Sequence, residues 1–255
     1  MLKENSLEEN LNMLLWLRGS LEDSYSAASH EESFVWRQNY LSDLLDKKFS
    51  ETEFAKVSLE TRLRFCQTLA LFHGHIFNAS KVGRSLNMPD WKIRTYLNIL
   101  EKNLIIRKLF PWKENLSKRQ VKSFKVYFRD SGILNTLLDI KEESSLRTNP
   151  QKELLWEGFV QQEILKHFQL QDQESYFWKT QAGAELGLFF IKNGKRLGFA
   201  CSYTSEPKIT LSMRISLHDL KLDHLYLIFP GKFTFSLSEK ITAQSLETLS
   251  SISPF

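Results

Sequence analysis

Residues 184–203, AELGLFFIKNGKRLGFACSY, consist of two apolar strands joined by a tight polar turn. Residues two apart on a strand share one face of the sheet. The large side chains expected on one face are Leu186, Leu188, Phe190, Phe199, Cys201 and Tyr203. The opposite face carries only small side chains, at Gly187, Ala200 and Ser202. The pattern predicts a hairpin in the core of a sheet, with only small side chains on one of its faces.

The segments around this hairpin predict a regular order of helices and strands. A helix over residues 151–169 and a strand over 175–180 precede it. A helix over residues 212–222 and strands over 224–231 and 233–239 follow it. This order predicts an α/β (α+β) domain with a mixed sheet. It resembles the restriction-endonuclease-like fold, in which the chemistry lies on one face of the second and third strands.

The middle of the chain predicts three helices followed by two strands. The helices cover residues 60–74, 78–86 and 91–103, and the strands cover 104–112 and 122–130. This layout is typical of a winged helix-turn-helix, whose third helix commonly enters the major groove of DNA. Winged helices also serve as protein-interaction modules, so the fold alone leaves the ligand open.

The third of these helices has one apolar face and one polar face. The apolar positions are Ile93, Leu97, Leu100 and Leu104. The polar positions are Trp91, Arg94, Thr95, Asn98 and Lys102. We expect Asp90 to cap this helix and Asn78 or Ser80 to cap the one before it. Since one face packs, the other is available to contact a ligand.

Charge is distributed unevenly along the chain, although the net charge is only +4. The net charge is −6 over residues 1–60, +11 over 61–130 and −1 over 131–255. So basic a segment is a candidate for contact with a polyanion. The candidate contacts in the wing, the predicted strand pair with its loop, are Lys113, Lys118, Arg119, Lys122 and Lys125. The alternative is that these lysines only solubilise an edge strand.

The N-terminal part predicts helices over residues 6–17 and 30–49, with a loop between them. Residues 135–150, NTLLDIKEESSLRTNP, predict a polar linker. The expected domains are an N-terminal helical segment, a winged helix and a restriction-endonuclease-like domain, over residues 1–50, 51–148 and 149–255.

Several classes of protein are disfavoured by the sequence. No apolar run approaches the roughly 18 residues that cross a bilayer, and no signal peptide is evident, so we expect a cytoplasmic protein without a membrane partner. Cys66 and Cys201 lie in separate apolar segments, which favours reduced core residues. His73 and His75 have no further ligand at zinc-binding spacing. We therefore expect no metal and no cofactor.

Several stretches together resemble one known family. They are LWLRGS at 15–20, HGHIFNASKVGRSL at 73–86, KSFKVYFRDSG at 122–132, WEGF at 156–159 and TQAGAE at 180–185. They resemble the C-terminal region, domain of unknown function 4143, of bacterial AAA-type ATP-binding proteins, from about residue 15 to the end. Such relatives begin with a P-loop ATPase domain, whereas this chain has no G-x-x-x-x-G-K-[ST] motif. The resemblance implies a truncated relative whose partners include full-length ATPase relatives or a separately encoded ATPase.

The resemblance also implies a nuclease-type site that this chain has lost. Family members read GAE-x-D in the first strand of the hairpin and E-x-K in the second, after an acid on the preceding helix. Such residues on one face can hold a divalent ion and a water. The aligned positions here are Gly187, Ala200 and Ser202, and the remaining acids are Glu157 and Glu185. We therefore lean against an enzyme.

The sequence favours non-catalytic binding of nucleic acid, with duplex DNA as the favoured ligand, through the third helix and the wing. One alternative is a protein-interaction module that docks on full-length ATPase relatives. A second alternative is a residual metal-dependent nuclease whose site has migrated to Glu157, Glu185 or Glu206. Salt-dependent DNA binding distinguishes a nucleic-acid-binding protein from a docking module. Magnesium-dependent cleavage of DNA distinguishes a residual nuclease from both.

Overall fold

The computed structural model describes residues 4–113 and 122–253. Two of the expected wing contacts, Lys118 and Arg119, lie outside the described residues. The chain divides into two compact units. The helical unit combines Met13–Lys108 with Lys125–Lys152, and the sheet unit combines Met1–Asn12, Leu109–Phe124 and Glu153–Phe255.

The helical unit contains most of the helices. In chain order they are α1 (Glu4–Arg18, from Met13 onward), α2 (Glu22–Tyr25), α3 (His30–Lys47), α4 (Leu59–Ala70), α5 (Ala79–Leu86), α6 (Asp90–Lys102), α7 (Ser131–Leu137) and α8 (Glu143–Thr148). A 3-10 turn covers Glu53–Lys56. The unit also holds β2 (Lys125–Phe128) and the first half of β1 (Ile106–Pro111). Three helices and two strands therefore follow one another here in the expected order.

The core of this unit is built around aromatic rings and the apolar face of α6. Phe54 lies between Phe49, Phe65 and Tyr96, with ring centroids 4.5–5.6 Å apart. The α6 side chains that are at most 1% exposed are Ile93, Tyr96, Leu97 and Leu100. The predicted apolar face of α6 is thus buried. Leu104 is the exception, because it lies beyond the helix with φ of 60° and is 66% exposed.

The helix starts were predicted with mixed success. Asn78 caps α5, since its Oδ1 accepts a hydrogen bond from the Lys81 amide at 3.1 Å. Asp90 does not cap α6, because Pro89 occupies the N-cap and Asp90 is the first helical residue. The Asp90 carboxylate instead accepts a hydrogen bond from Ser80 Oγ at 2.6 Å. Of the two residues predicted as the α5 cap, Asn78 is therefore the cap, and Ser80 instead donates to the first residue of α6.

The prediction of a polar linker over residues 135–150 is wrong. This stretch contains the second half of α7 and the whole of α8. Asn135 is fully buried, and its Nδ2 donates to the carbonyl groups of Trp16 and Leu17 at 2.8 and 3.0 Å. The polar residue that suggested a linker therefore satisfies the last carbonyl groups of a helix.

The sheet unit holds the remaining elements. They are the second half of β1, α9 (Lys152–His167), β3 (Ser175–Lys179), β4 (Glu185–Lys192), β5 (Lys195–Cys201), α10 (Leu211–Asp219), β6 (His224–Phe229), β7 (Phe235–Ser238) and β8 (Ile241–Ser245). Short 3-10 turns cover Asp172–Glu174 and Leu249–Ser251.

The strands of this unit lie in the order β1-β3-β4-β5-β6-β8-β7. The pairs β1–β3, β5–β6 and β6–β8 are parallel, and β3–β4, β4–β5 and β7–β8 are antiparallel. The predicted class, N-terminal helices followed by a mixed sheet, is therefore confirmed. The sequence reasoning missed β8. Its Gln244 and Ser245 are polar but buried. Their burial is tolerated because Gln244 Nε2 donates to Thr248 Oγ1 at 2.7 Å and Ser245 Oγ donates to the Gly231 carbonyl at 2.5 Å.

An extra residue in β4 interrupts the simple alternation that the hairpin sequence predicts. The paired residues of β3 and β4 are Trp178 with Leu186 but Tyr176 with Phe189. Leu186 and Phe189 consequently pack in one cluster with Met213 of α10. Phe190 instead contacts Phe168, just after α9, with ring centroids 5.1 Å apart. The expectation that Leu186 and Phe190 share a face is wrong, because one inserted residue reverses the facing of a strand.

Both cysteines are thiols rather than a disulfide. Cys66 is buried, and desolvation raises the pKa of its thiol to about 12, whereas Cys201 is half-buried. In the part of the chain that the structure describes, every helix is too short or too polar to cross a bilayer.

Candidate functional site

A cleft of about 420 Å³ lies in the sheet unit, beside the start of β4 and the end of β5. Its lining includes all five positions that the family resemblance singled out, namely Glu157, Glu185, Gly187, Ala200 and Ser202. The remaining lining residues are Cys201, Thr204, Glu206, Lys208, Thr210, Met213 and Leu227. Residues that are far apart in sequence are therefore brought to one place.

The Glu157 carboxylate occupies the space in front of Gly187. A Cβ atom added to Gly187 would lie 3.2 Å from the carboxylate carbon of Glu157 and 3.5 Å from Nε2 of Gln161. Gln161 is fully buried, and its Nε2 donates to the Gly187 carbonyl at 3.0 Å and to Glu157 Oε1 at 3.3 Å. The sequence reasoning missed Gln161. Its position one helical turn after Glu157 on α9 was the signal that could have found it.

The other two acids of the cleft are paired with lysines. Glu185 Oε2 lies 2.5 Å from Lys179 Nζ, across the β3–β4 pair. Glu206 Oε2 lies 3.2 Å from Lys208 Nζ at an exposed position. Neither lysine was among the expected site residues. Among residues 4–113 and 122–253, no group of three or more His, Cys, Asp or Glu side chains could hold a metal ion.

The outer face of α6 is a second candidate site. Trp91 is 67% exposed, Arg94, Asn98 and Lys102 are exposed, and Thr95 is half-buried. Neither Arg94 nor Lys102 forms an ion pair with a residue in the described part of the chain. We call the residues Trp91, Arg94, Thr95, Asn98 and Lys102 the α6 face.

Two neighbours orient the polar groups of this face. Lys108 Nζ donates to Asn98 Oδ1 at 2.6 Å and lies 2.5 Å from Glu101 Oε2. Thr95 Oγ1 donates to the Trp91 carbonyl at 3.0 Å. The Asn98 oxygen is thus engaged within the unit, and the amide nitrogen of this exposed residue can still donate hydrogen bonds.

The residues expected to contact nucleic acid from the wing are distributed differently. Lys113 and Lys122 are exposed and belong to the sheet unit. Lys125 is only 3% exposed, because all four residues of β2 are buried. Arg107 of β1 is also buried, with its guanidinium carbon 4.8 Å from the centre of the Tyr127 ring. Burial therefore removes Lys125 from any contact surface of the folded protein.

Two family models match the chain. Residues 10–144 match Domain of unknown function (DUF8612), and residues 152–249 match Domain of unknown function (DUF4143). The resemblance to the second family, found in the sequence, is thus confirmed for the C-terminal part. Its predicted extent, from about residue 15, was too long, since the preceding part matches a different family.

Similar sequences occur in mycobacteria. An uncharacterized protein of Mycobacterium bovis and one of Mycobacterium tuberculosis are each 38% identical over 229 residues. The matched region is 90% of this chain and 51% of each relative, so the chain spans about half the length of these curated relatives. No solved structure matches the chain. Since the first family model covers more than half of its 255 residues, the protein belongs to the DUF8612 family, and its C-terminal part is a DUF4143 domain.

Proposed function

We propose that the protein binds nucleic acid, with duplex DNA as the favoured ligand, through the α6 face and without cleaving it. The observation that carries this proposal is that α6 presents Arg94 and Lys102, which form no ion pair with a described residue, on the side opposite its buried face. A third helix that follows two shorter ones and precedes a strand pair is the reading element of a winged helix-turn-helix.

Charge complementarity supports this choice of ligand. Arg94 and Lys102 are eight residues apart, so they lie about 12 Å apart along the helix axis and reach different phosphates. Each phosphate contact adds about 0.9 to the slope of log affinity against log salt concentration. Asn98 lies between them and is exposed, and its amide nitrogen can donate to an acceptor on a base edge in the major groove. The face therefore combines phosphate-binding groups with one candidate base-reading group.

The test is fluorescence anisotropy with a labelled duplex between about 50 and 200 mM salt. We expect Arg94→Glu with Lys102→Glu to weaken binding at least about 10-fold and to lower the salt slope by about 1.8, because two phosphate contacts are lost. The matched control reverses Arg214 and Lys240, two exposed cations of the sheet unit. Absence of wild-type binding at low salt, or equal effects of the two double reversals, would refute the proposal.

Docking on a longer relative is a second candidate function. The chain spans about half the length of the mycobacterial proteins, so those proteins contain further sequence that this chain does not match. The resemblance to AAA-type ATP-binding proteins makes a full-length ATPase relative, or a separately encoded ATPase, the partner to try. Co-elution with such a protein in size-exclusion chromatography, combined with no affinity for DNA, would favour docking.

A residual nuclease with a migrated site is the third candidate. The cleft retains Glu157, Glu185 and Glu206, but the last two are paired with lysines. A metal-dependent site needs several oxygen ligands close to the reacting phosphate. Nicking of supercoiled plasmid with magnesium or manganese, abolished by Glu157→Ala, would establish this alternative in place of non-catalytic binding.

A further inference from the structure

Trp91 is the most prominent apolar group of the α6 face. It is the second residue of α6 and is 67% exposed, whereas Trp16, Trp156 and Trp178 are at most 3% exposed. Its indole makes no ring contact and no side-chain hydrogen bond with any residue that the structure describes. A large aromatic surface that is left in water within a cationic face is available for contact with a ligand.

The backbone around Trp91 is anchored, while its ring remains accessible. Ile93, two residues on, is fully buried, which anchors the first turn of α6. Lys92 turns its Nζ towards the Tyr96 ring, 5.7 Å from its centre. The nearest acid in sequence, Asp90, accepts a hydrogen bond from Ser80 Oγ. Arg94 follows one turn later on the same side. Trp91 is therefore an accessible aromatic surface beside Arg94, a cation that forms no ion pair with a described residue.

A continuous duplex offers little to such a platform. The floor of the major groove displays hydrogen-bond donors and acceptors, and an indole has a single N–H donor and no acceptor. The flat faces of bases in a duplex are already stacked on one another. Away from the two end pairs of a duplex, only an unpaired base presents a face on which a tryptophan can stack, and such stacking is largely independent of base identity.

We propose that the preferred ligand is a DNA duplex that carries an unpaired base, with Trp91 stacked on that base and with Arg94 and Lys102 on phosphates of the adjoining duplex. The inference rests on the proposed nucleic-acid binding and specifies the class of DNA. It makes Trp91 the residue that discriminates between DNA structures, while the two cations set the affinity for all of them.

The experiment compares three labelled DNAs by anisotropy at low salt: a blunt duplex, the same duplex with a single-stranded tail, and the tail alone. We expect the wild-type protein to bind the tailed duplex about 5- to 100-fold more tightly than the blunt one. Trp91→Ala should abolish this preference, so that the variant binds the tailed and the blunt duplex with equal affinity. Trp91→Phe should keep most of the preference, since a phenyl ring still stacks.

The control variant is Leu211→Ala, which removes an apolar side chain that is 72% exposed at the first position of α10. It should leave all three affinities unchanged. Equal binding of blunt and tailed duplex, with Trp91→Ala indistinguishable from wild type, would overturn this inference while DNA binding itself stands. Absence of binding to all three DNAs would overturn the proposed function and this inference together.

Discussion

His73 shows how the helical unit fixes the charge state of one buried residue. Its ring is 2% exposed, and its Nδ1 accepts a hydrogen bond from the Phe128 amide at 3.1 Å. Burial is the main cause that lowers the pKa of His73 to about 3, and the positive charges of Arg107, His75 and Lys125 contribute to this shift. The residue is therefore neutral in the folded protein at neutral pH, with its proton on Nε2.

This depressed pKa predicts that acid destabilises the protein. An unfolded histidine has a pKa of about 6.5, so between pH 6.5 and about 3 the unfolded state binds one proton more than the folded state. The free energy of unfolding should fall by up to about 1.4 kcal/mol for each pH unit below 6.5, as measured by urea unfolding. His73→Asn keeps an acceptor for the Phe128 amide but does not titrate, so its pH dependence should be shallower. The same slope in both proteins would contradict this assignment, since His30 and His224 titrate in both.

Gly187 is the residue at which the expectation of a lost metal site is most directly tested. Gly187→Asp would place a second carboxylate against Glu157, because a Cβ at this position already lies 3.2 Å from the Glu157 carboxylate carbon. We expect a loss of stability of about 1–3 kcal/mol, reduced by millimolar manganese, because a divalent cation would bridge the two carboxylates. Gly187→Asn has the same size without the charge and should show no manganese effect. Thermal denaturation with and without manganese distinguishes the variants, and an equal manganese shift in both would contradict the bridging.

Among the elements, α7 is tied to the end of α1 by the residue that precedes it, Asp130. Asp130 Oδ1 accepts from the Ile133 amide at 2.8 Å and caps α7. Its Oδ2 accepts from the Ser20 amide at 2.7 Å and from Ser20 Oγ at 3.1 Å, just after α1. Gly19 lets the chain approach this closely, since it has φ of +80° and a Cβ there would lie 2.2 Å from Asp130 Oδ1. One carboxylate thus joins the end of α1 to the start of α7.

Asp130→Ala should therefore cost more than the loss of an ordinary helix cap. We expect about 2–4 kcal/mol, as the sum of one cap and the hydrogen bonds to Ser20. The control is Ser29→Ala, which removes only the cap of α3, a 3.0 Å bond from the Glu32 amide, and should cost about 1 kcal/mol. Chemical denaturation of both variants measures the difference. Equal costs would show that the contacts with Ser20 contribute little.

At the scale of the whole molecule, the basic segment is less exposed than its charge suggests. Residues 61–130 have a net charge of +11, but Arg62, Arg107 and Lys125 are at most 6% exposed. Arg62 also lies 3.1 Å from Asp46, and Lys108 is paired with Glu101. The exposed charge that remains includes Arg94 and Lys102, so the contact surface we propose is narrower than the sequence indicates.

The order of helices and strands was predictable because periodicity is a local property. The apolar stripe of α6, the hairpin of β4 and β5 and the small side chains at Gly187, Ala200 and Ser202 can all be recognised in the linear chain. Each depends on residues within a few positions of one another, and hydrophobic spacing reports these directly.

Other features depended on contacts between distant segments. Asn135 in α7, Gln244 and Ser245 in β8 and Lys125 in β2 are polar in sequence and buried in the fold. The distant carbonyl groups of Trp16 and Leu17 accept from Asn135, and the extra residue that reverses the facing of β4 is visible only against β3. Burial of a polar group is tolerated when a hydrogen-bond partner is present, and the tertiary fold supplies that partner from elsewhere in the chain.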